Sequence, residues 1–207
     1  MIRRILFVAL PLLAAVALLP WGYAMAIEEP KFSVLKTYED FEIRRYEPTI
    51  VAQTVVQGSL EEAGNEAFGL LAGYIFGKNR GEKKIAMTAP VAQTPAKIAM
   101  TAPVAQTATD GGMVVRFTMP AEWTLETLPE PLDPRVKIAA LPPRTVAVIR
   151  YSGFWSEARY AEHLEKLKAA LAREGLRWEG EPVWARYNPP ITPWFLRRNE
   201  IWLDVAG

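Results

Sequence analysis

Lys84-Ile85-Ala86-Met87-Thr88-Ala89-Pro90-Val91-Ala92-Gln93-Thr94 returns unchanged as Lys97-Ile98-Ala99-Met100-Thr101-Ala102-Pro103-Val104-Ala105-Gln106-Thr107, with only Pro95 and Ala96 between the copies. In each copy an apolar residue falls at every second position: Ile85, Met87, Ala89 and Val91, then Ile98, Met100, Ala102 and Val104. That is the period of a strand with one buried face. Pro90 and Pro103 have no backbone donor, so each belongs at a strand end, an edge or a bulge, never mid-ladder in a central strand. Two arrangements satisfy the repeat. One is an insertion carried by a permissive loop at small entropic cost; the other is a hairpin in which both copies add strands at a pocket rim.

The flanks alternate strands with two helices. Upstream, Phe32–Glu39 and Phe41–Glu47 flank Asp40 as a hairpin, and Thr49–Gln57 is a β-branched strand with Ile50, Ala52, Thr54 and Val56 on one face. Ser59-Leu60-Glu61-Glu62 is a capping box. Leu60, Ala63, Ala67, Leu70, Leu71 and Tyr74 follow at helical spacing, with Gly77 as the stop. After the repeat, a polar turn at Thr109–Gly112 leads into the strand Met113–Met119. Pro120–Pro134 holds four prolines and reads as a surface connection.

The second half brings strands Arg135–Leu141 and Thr145–Tyr151, a helix over Ser156–Arg173 striped by Tyr160, Leu164, Leu167 and Leu171, and strands Glu181–Tyr187 and Glu200–Val205. Strand–helix–strand–strand therefore occurs twice, the first time as 49–57, the helix from 59, 84–91 and 113–119. The fold class this predicts is α+β: two such halves forming a curved antiparallel sheet or distorted barrel with two helices. A concave apolar face on that sheet would suit a small apolar ligand.

Three stretches together carry a resemblance. Lys-Ile-Ala-Met-Thr-Ala-Pro-Val resembles the signature of the SOUL family of haem-binding proteins. Tyr187-Asn188-Pro189-Pro190 followed by Phe195-Leu196-Arg197-Arg198-Asn199-Glu200 is similar to its C-terminal motif, and Tyr38-Glu39-Asp40-Phe41-Glu42-Ile43-Arg44-Arg45-Tyr46 to its opening hairpin. The three occur in the family's order and span about residues 32–205. The resemblance implies non-covalent binding of haem or a related tetrapyrrole, for carriage or buffering. Because the copies of the repeat are identical, either can occupy the family's single motif position.

Composition narrows the partners. Of 207 residues half are apolar, and the formal net charge of +1 gives no basic footprint for nucleic acid. Zero cysteines exclude disulfides, iron–sulfur clusters, a Cys nucleophile and covalent c-type haem. Arg3-Arg4, the apolar run Ile5–Leu19 and the small-residue site Ala24-Met25-Ala26 read as an export signal over residues 1–26. Pro11 and Pro20 favour cleavage over retention as a membrane anchor. The remaining domain, 27–207, is then expected in the periplasm or exported, or membrane-associated through the N-terminal segment if the leader is kept. Its charge after loss of Arg3 and Arg4 is +1 − 2 = −1.

Catalytic groups are scarce. No phosphate loop, serine nucleophile elbow or His-rich metal spacing occurs, and no catalytic residue is assigned. The one histidine, His163, lies at the border of the second helix's stripe. For a haem site the candidate axial ligands are His163, Met87, Met100 and Tyr74, and the candidate propionate partners are Arg44, Arg45, Lys83 and Lys84. Each has an ordinary alternative as core or solvated charge. An enzyme acting on small apolar or tetrapyrrole molecules, or a membrane-surface protein-interaction module, are the competing functions. A polar dyad facing the pocket would favour the first, a filled and pocketless sheet the second.

Overall fold

The computed structural model describes residues 28–58, 60–81, 102–109 and 112–206. Nine strands and two α-helices are defined in it: β1 (Phe32–Thr37), β2 (Glu42–Tyr46), β3 (Thr49–Val56), α1 (Leu60–Ile75), β4 (Val104–Thr109), β5 (Gly112–Thr118), β6 (Lys137–Leu141), β7 (Arg144–Tyr151), α2 (Glu157–Arg173), β8 (Trp178–Arg186) and β9 (Asn199–Val205). The strands form one antiparallel sheet in the order β1-β2-β7-β9-β8-β4-β5-β3-β6. Its centre is a mirrored pair of halves. β3-β5-β4 and β7-β9-β8 each place their middle strand last in sequence, and the halves join where β4 pairs with β8. The predicted α+β architecture is the one observed.

The repeat resolves in favour of its second copy. Val104–Thr107 enters β4, with Gln106 opposite Val115 on one side and Trp184 on the other. Pro103 sits just before the strand, so the missing donor lies outside the ladder. The expected alternation breaks there: Ala102 packs with the residues of one sheet face, Val104 with those of the other. The first copy, and the strand expected at 84–91, fall outside the described residues.

Each helix covers one half. Ala63, Ala67, Leu71, Tyr74 and Ile75 of α1 pack on Ala52, Val56, Val115 and Phe117, while Leu167, Ala170 and Leu171 of α2 pack on Ile43, Ala147, Ile149, Ile201 and Leu203. α2 begins where the sequence predicts, with Ser156 as N-cap accepting from the Arg159 amide, and ends before Gly175 at φ +68°. At Gly64 α1 comes so close to the sheet that an added Cβ would meet Gln106 Nε2 at 2.8 Å. Among the described residues no helix is long and apolar enough to cross a membrane.

The other sheet face is concave. One small cleft of about 40 Å³ is lined by Tyr46 of β2, Val51 of β3, Leu141 of β6 and Trp202 of β9, strands drawn from both ends of the sheet order. Tyr46, Val146, Val148, Val183, Ala185, Tyr187 and Trp202 fill the centre of this face. Both faces of the central strands are thus buried, which is why β9 runs Asn199–Leu203 without an exposed residue.

Candidate functional site

Under that filling lies a buried ionic cluster. Glu200, on the concave face of β9, is fully buried, and Arg44 reaches both of its oxygens at 3.1 Å. Arg198 donates to Oε1 at 2.9 Å, and the Tyr187 hydroxyl and Trp202 indole donate to Oε2 at 2.8 and 2.9 Å. Arg44 is also held by Glu42 at 2.7 Å and lies 4.5 Å over the Phe32 ring. Arg198 is also held by Glu29. Burial alone would push the Glu200 carboxyl up, but Arg44 and Arg198 outweigh it and hold it below its ordinary value. Burial beside that carboxylate drives the Tyr187 phenol far up, so it remains a donor. Asn188 and Asn199 extend the same knot, Asn188 accepting from the Arg198 amide, and Asn199 joining the Trp155 indole to the Gly153 carbonyl. The C-terminal motif is therefore largely a structural clamp.

On the helix side, aromatic rings stack in a chain. His163 lies on Tyr151 at 4.0 Å, Tyr160 on Trp184 at 5.0 Å, and the Arg186 guanidinium sits 4.1 Å from Trp184 and 5.0 Å from Trp155. The His163 Nδ1 is 2.8 Å from the Arg159 carbonyl, so Nδ1 carries the proton and donates. Burial pushes the Tyr151 and Tyr160 phenols up to about 12.

Above this chain the packing stops and apolar side chains face water. The β8–β9 connection carries Ile191, Trp194, Phe195 and Leu196, which are 89%, 49%, 58% and 64% exposed, and Phe154, 57% exposed, stacks on Trp194 at 5.5 Å. Pro189, Pro190 and Pro193 deny the segment a ladder, leaving only the short helical turn Trp194–Leu196. It is nevertheless fixed: Arg197 donates to the carbonyls of Thr192 (2.8 Å) and Pro190 (2.6 Å) while its guanidinium lies 4.4 Å from Trp155, and the Gly153 amide donates to the Trp194 carbonyl at 3.0 Å. Grouped exposed aromatics on a braced loop make this surface a candidate for binding. Arg197 and Arg159 flank it, their side chains hydrogen-bonded, among the described residues, to backbone carbonyls.

Among the described residues, those expected at a haem site are not gathered at one place. Arg44 is in the concave ionic cluster. Its neighbour Arg45 is exposed. Tyr74 is buried in the α1 core and donates to the Pro129 carbonyl at 2.9 Å. His163 is 9% exposed beneath α2. Lys83, Lys84, Met87 and Met100 lie outside the described residues. The aromatic loop was not among the candidates, although Ile191-Thr192-Pro193-Trp194-Phe195-Leu196 carries its own signal, apolar residues in a segment that prolines keep from packing. Among the described residues no group of three His, Cys, Asp or Glu could hold a metal ion.

Comparison with known proteins agrees with this architecture. Human "Heme-binding protein 2" is 31% identical over 87% of this chain and 87% of its own length, and mouse "Heme-binding protein 1" is 29% identical over 73% and 76%. A solved structure described as a hydrolase from Listeria innocua superposes with a TM-score of 0.59 over 83% of this chain and 94% of its own, but at 14% identity it shares the fold alone. Residues 27–204 match the family described as "SOUL heme-binding protein". The chain belongs to that SOUL family.

Proposed function

We propose that this protein binds haem or a related tetrapyrrole non-covalently, for carriage or buffering rather than turnover, on the aromatic surface formed by Phe154, Ile191, Trp194, Phe195 and Leu196. The observation that carries this reading is the exposure of those five side chains, four on a loop braced from both ends and Phe154 stacked on its Trp194. Family membership supports the ligand class, and the residues fit it: flat rings for the macrocycle, Arg197 and Arg159 for its carboxylates. His163 stacks on Tyr151 below this surface, so the surface itself captures by apolar contact. We further propose that residues 1–26 act as an export leader, which would put the domain in the periplasm or outside the cell, or at the membrane if the leader is kept.

Haemin titration of wild type, His163→Ala and the Trp194→Ala/Phe195→Ala pair, followed by Soret absorbance and tryptophan quenching, tests it. One-to-one saturation that survives His163→Ala with an unchanged spectrum, and weakens in the aromatic pair, is the expected result. A Soret band altered by His163→Ala would move the site beneath α2. Absence of saturable binding would overturn the haem reading and leave the fold without it.

A further inference from the structure

We propose that the open end of the concave face binds a small amphipathic carboxylate, its charge on Arg116 and its apolar part on Val114, Leu141, Pro142 and Val183. A cavity of about 530 Å³ opens there, and Arg116, Arg144, Glu181 and Asp204 are its charged lining. The two arginines differ. Arg144 is matched by Asp204 in a fork of 3.0 and 2.9 Å. Arg116, half-buried, donates at 2.9 Å to the amide oxygen of Gln53 and to no carboxylate among the described residues. Burial, and then Arg144, hold its guanidinium below the ordinary arginine value. Glu181 is exposed at the rim, where water screens it.

The floor beside Arg116 is shallow. Its neighbours across the sheet are Gln53 on one side and Ala105, then Ala185, on the other, so two methyl side chains lie on the side that Gln53 does not occupy. A half-buried cation with no carboxylate on it among the described residues, beside small residues and apolar walls, is complementary to a carboxylate carrying a short hydrocarbon tail. The site shares no residue with the aromatic loop and does not rest on the haem reading.

Calorimetric titration of the full-length protein with sodium octanoate, and with octan-1-ol as the uncharged counterpart, decides the matter. Saturable octanoate binding without matching octanol binding is expected. Arg116→Gln should weaken octanoate by ~10-fold or more, the loss of a charge-assisted contact, while Arg116→Lys keeps part of the affinity and the surface variant Arg45→Gln all of it. Leu141→Glu, which adds a carboxylate to the lining at an edge strand, should weaken octanoate too, and it serves if Arg116→Gln does not fold. Equal binding of octanol and octanoate, an unchanged affinity in Arg116→Gln or Leu141→Glu, or no saturable octanoate binding would each overturn the proposal.

Discussion

Replacing Glu200 by glutamine changes two atoms' chemistry and leaves the shape almost intact, which isolates the value of the buried charge. Its two oxygens accept from Arg44, Arg198, Tyr187 and Trp202 at 2.8 to 3.1 Å, and every one of these partners is a donor. An amide has one oxygen and one NH₂, so either orientation sets donor against donor. Removing one partner of a buried ion pair costs about 3–5 kcal/mol. Because Arg44 keeps Glu42 at 2.7 Å and Arg198 keeps Glu29 at 2.9 Å, the lower end applies, about 3 kcal/mol. For a chain of this size that is a fall of roughly 6–12 °C in melting temperature. Urea unfolding at neutral pH, followed by far-UV circular dichroism, measures it. The pH dependence gives an independent check. A carboxyl held below its ordinary 4.5 stabilises fully above that value and loses the contribution as pH falls through its folded-state value. Wild type should lose this increment in acid, and Glu200→Gln should not. A loss under about 1 kcal/mol at neutral pH, or identical acid limbs, would refute the clamp.

Other outcomes follow from the same geometry. Trp194 and Phe195 are each about half exposed, so covering them with a ligand yields about 1 kcal/mol apiece; the double alanine variant should bind haemin ~30-fold more weakly with its melting temperature unchanged. Burial pushes the Tyr74, Tyr151 and Tyr160 phenols up to about 12 from 10.0. These groups stabilise fully below pH 10 and less as pH rises toward 12, so phenolate absorbance near ~295 nm should appear together with unfolding rather than before it. Gly112 opens β5 at φ +123°, and an added Cβ would lie 2.4 Å from the Val56 carbonyl oxygen. Gly112→Ala should therefore cost roughly 2 kcal/mol in urea unfolding, whereas Gly175→Ala, with open space around it, should cost less.

Local pattern made most of the elements legible. β-branched alternation located β3 and β7, and Ser156 and Gly175 bracket α2 as expected. What local pattern could not decide was the repeat. Two identical stretches have identical propensities, and the choice between them rests on β8, whose Val183 pairs with Thr107 far along the chain. The ionic cluster was hidden for a related reason. In β2, Glu42, Arg44 and Tyr46 share one parity and look like the wet face of a hairpin. Only the curl of the sheet brings Glu200, 156 residues away, against Arg44 and turns a solvated arginine into a buried one. The aromatic loop lacks periodicity altogether, so no helix or strand template could register it.

The position of that loop within the clamp has a further consequence. Tyr187 and Asn188 precede it and Arg198, Asn199 and Glu200 follow it, and these five residues are joined to one another or to fixed neighbours across the sheet. The segment from Ile191 to Leu196 is thus an insert between two anchored posts. Its side chains can be exchanged for others of different size and polarity while the posts, and the sheet they tie, keep their positions. In a protein built this way Tyr187, Asn188, Arg198, Asn199 and Glu200 certify the frame, while the segment between them sets the character of the exposed surface.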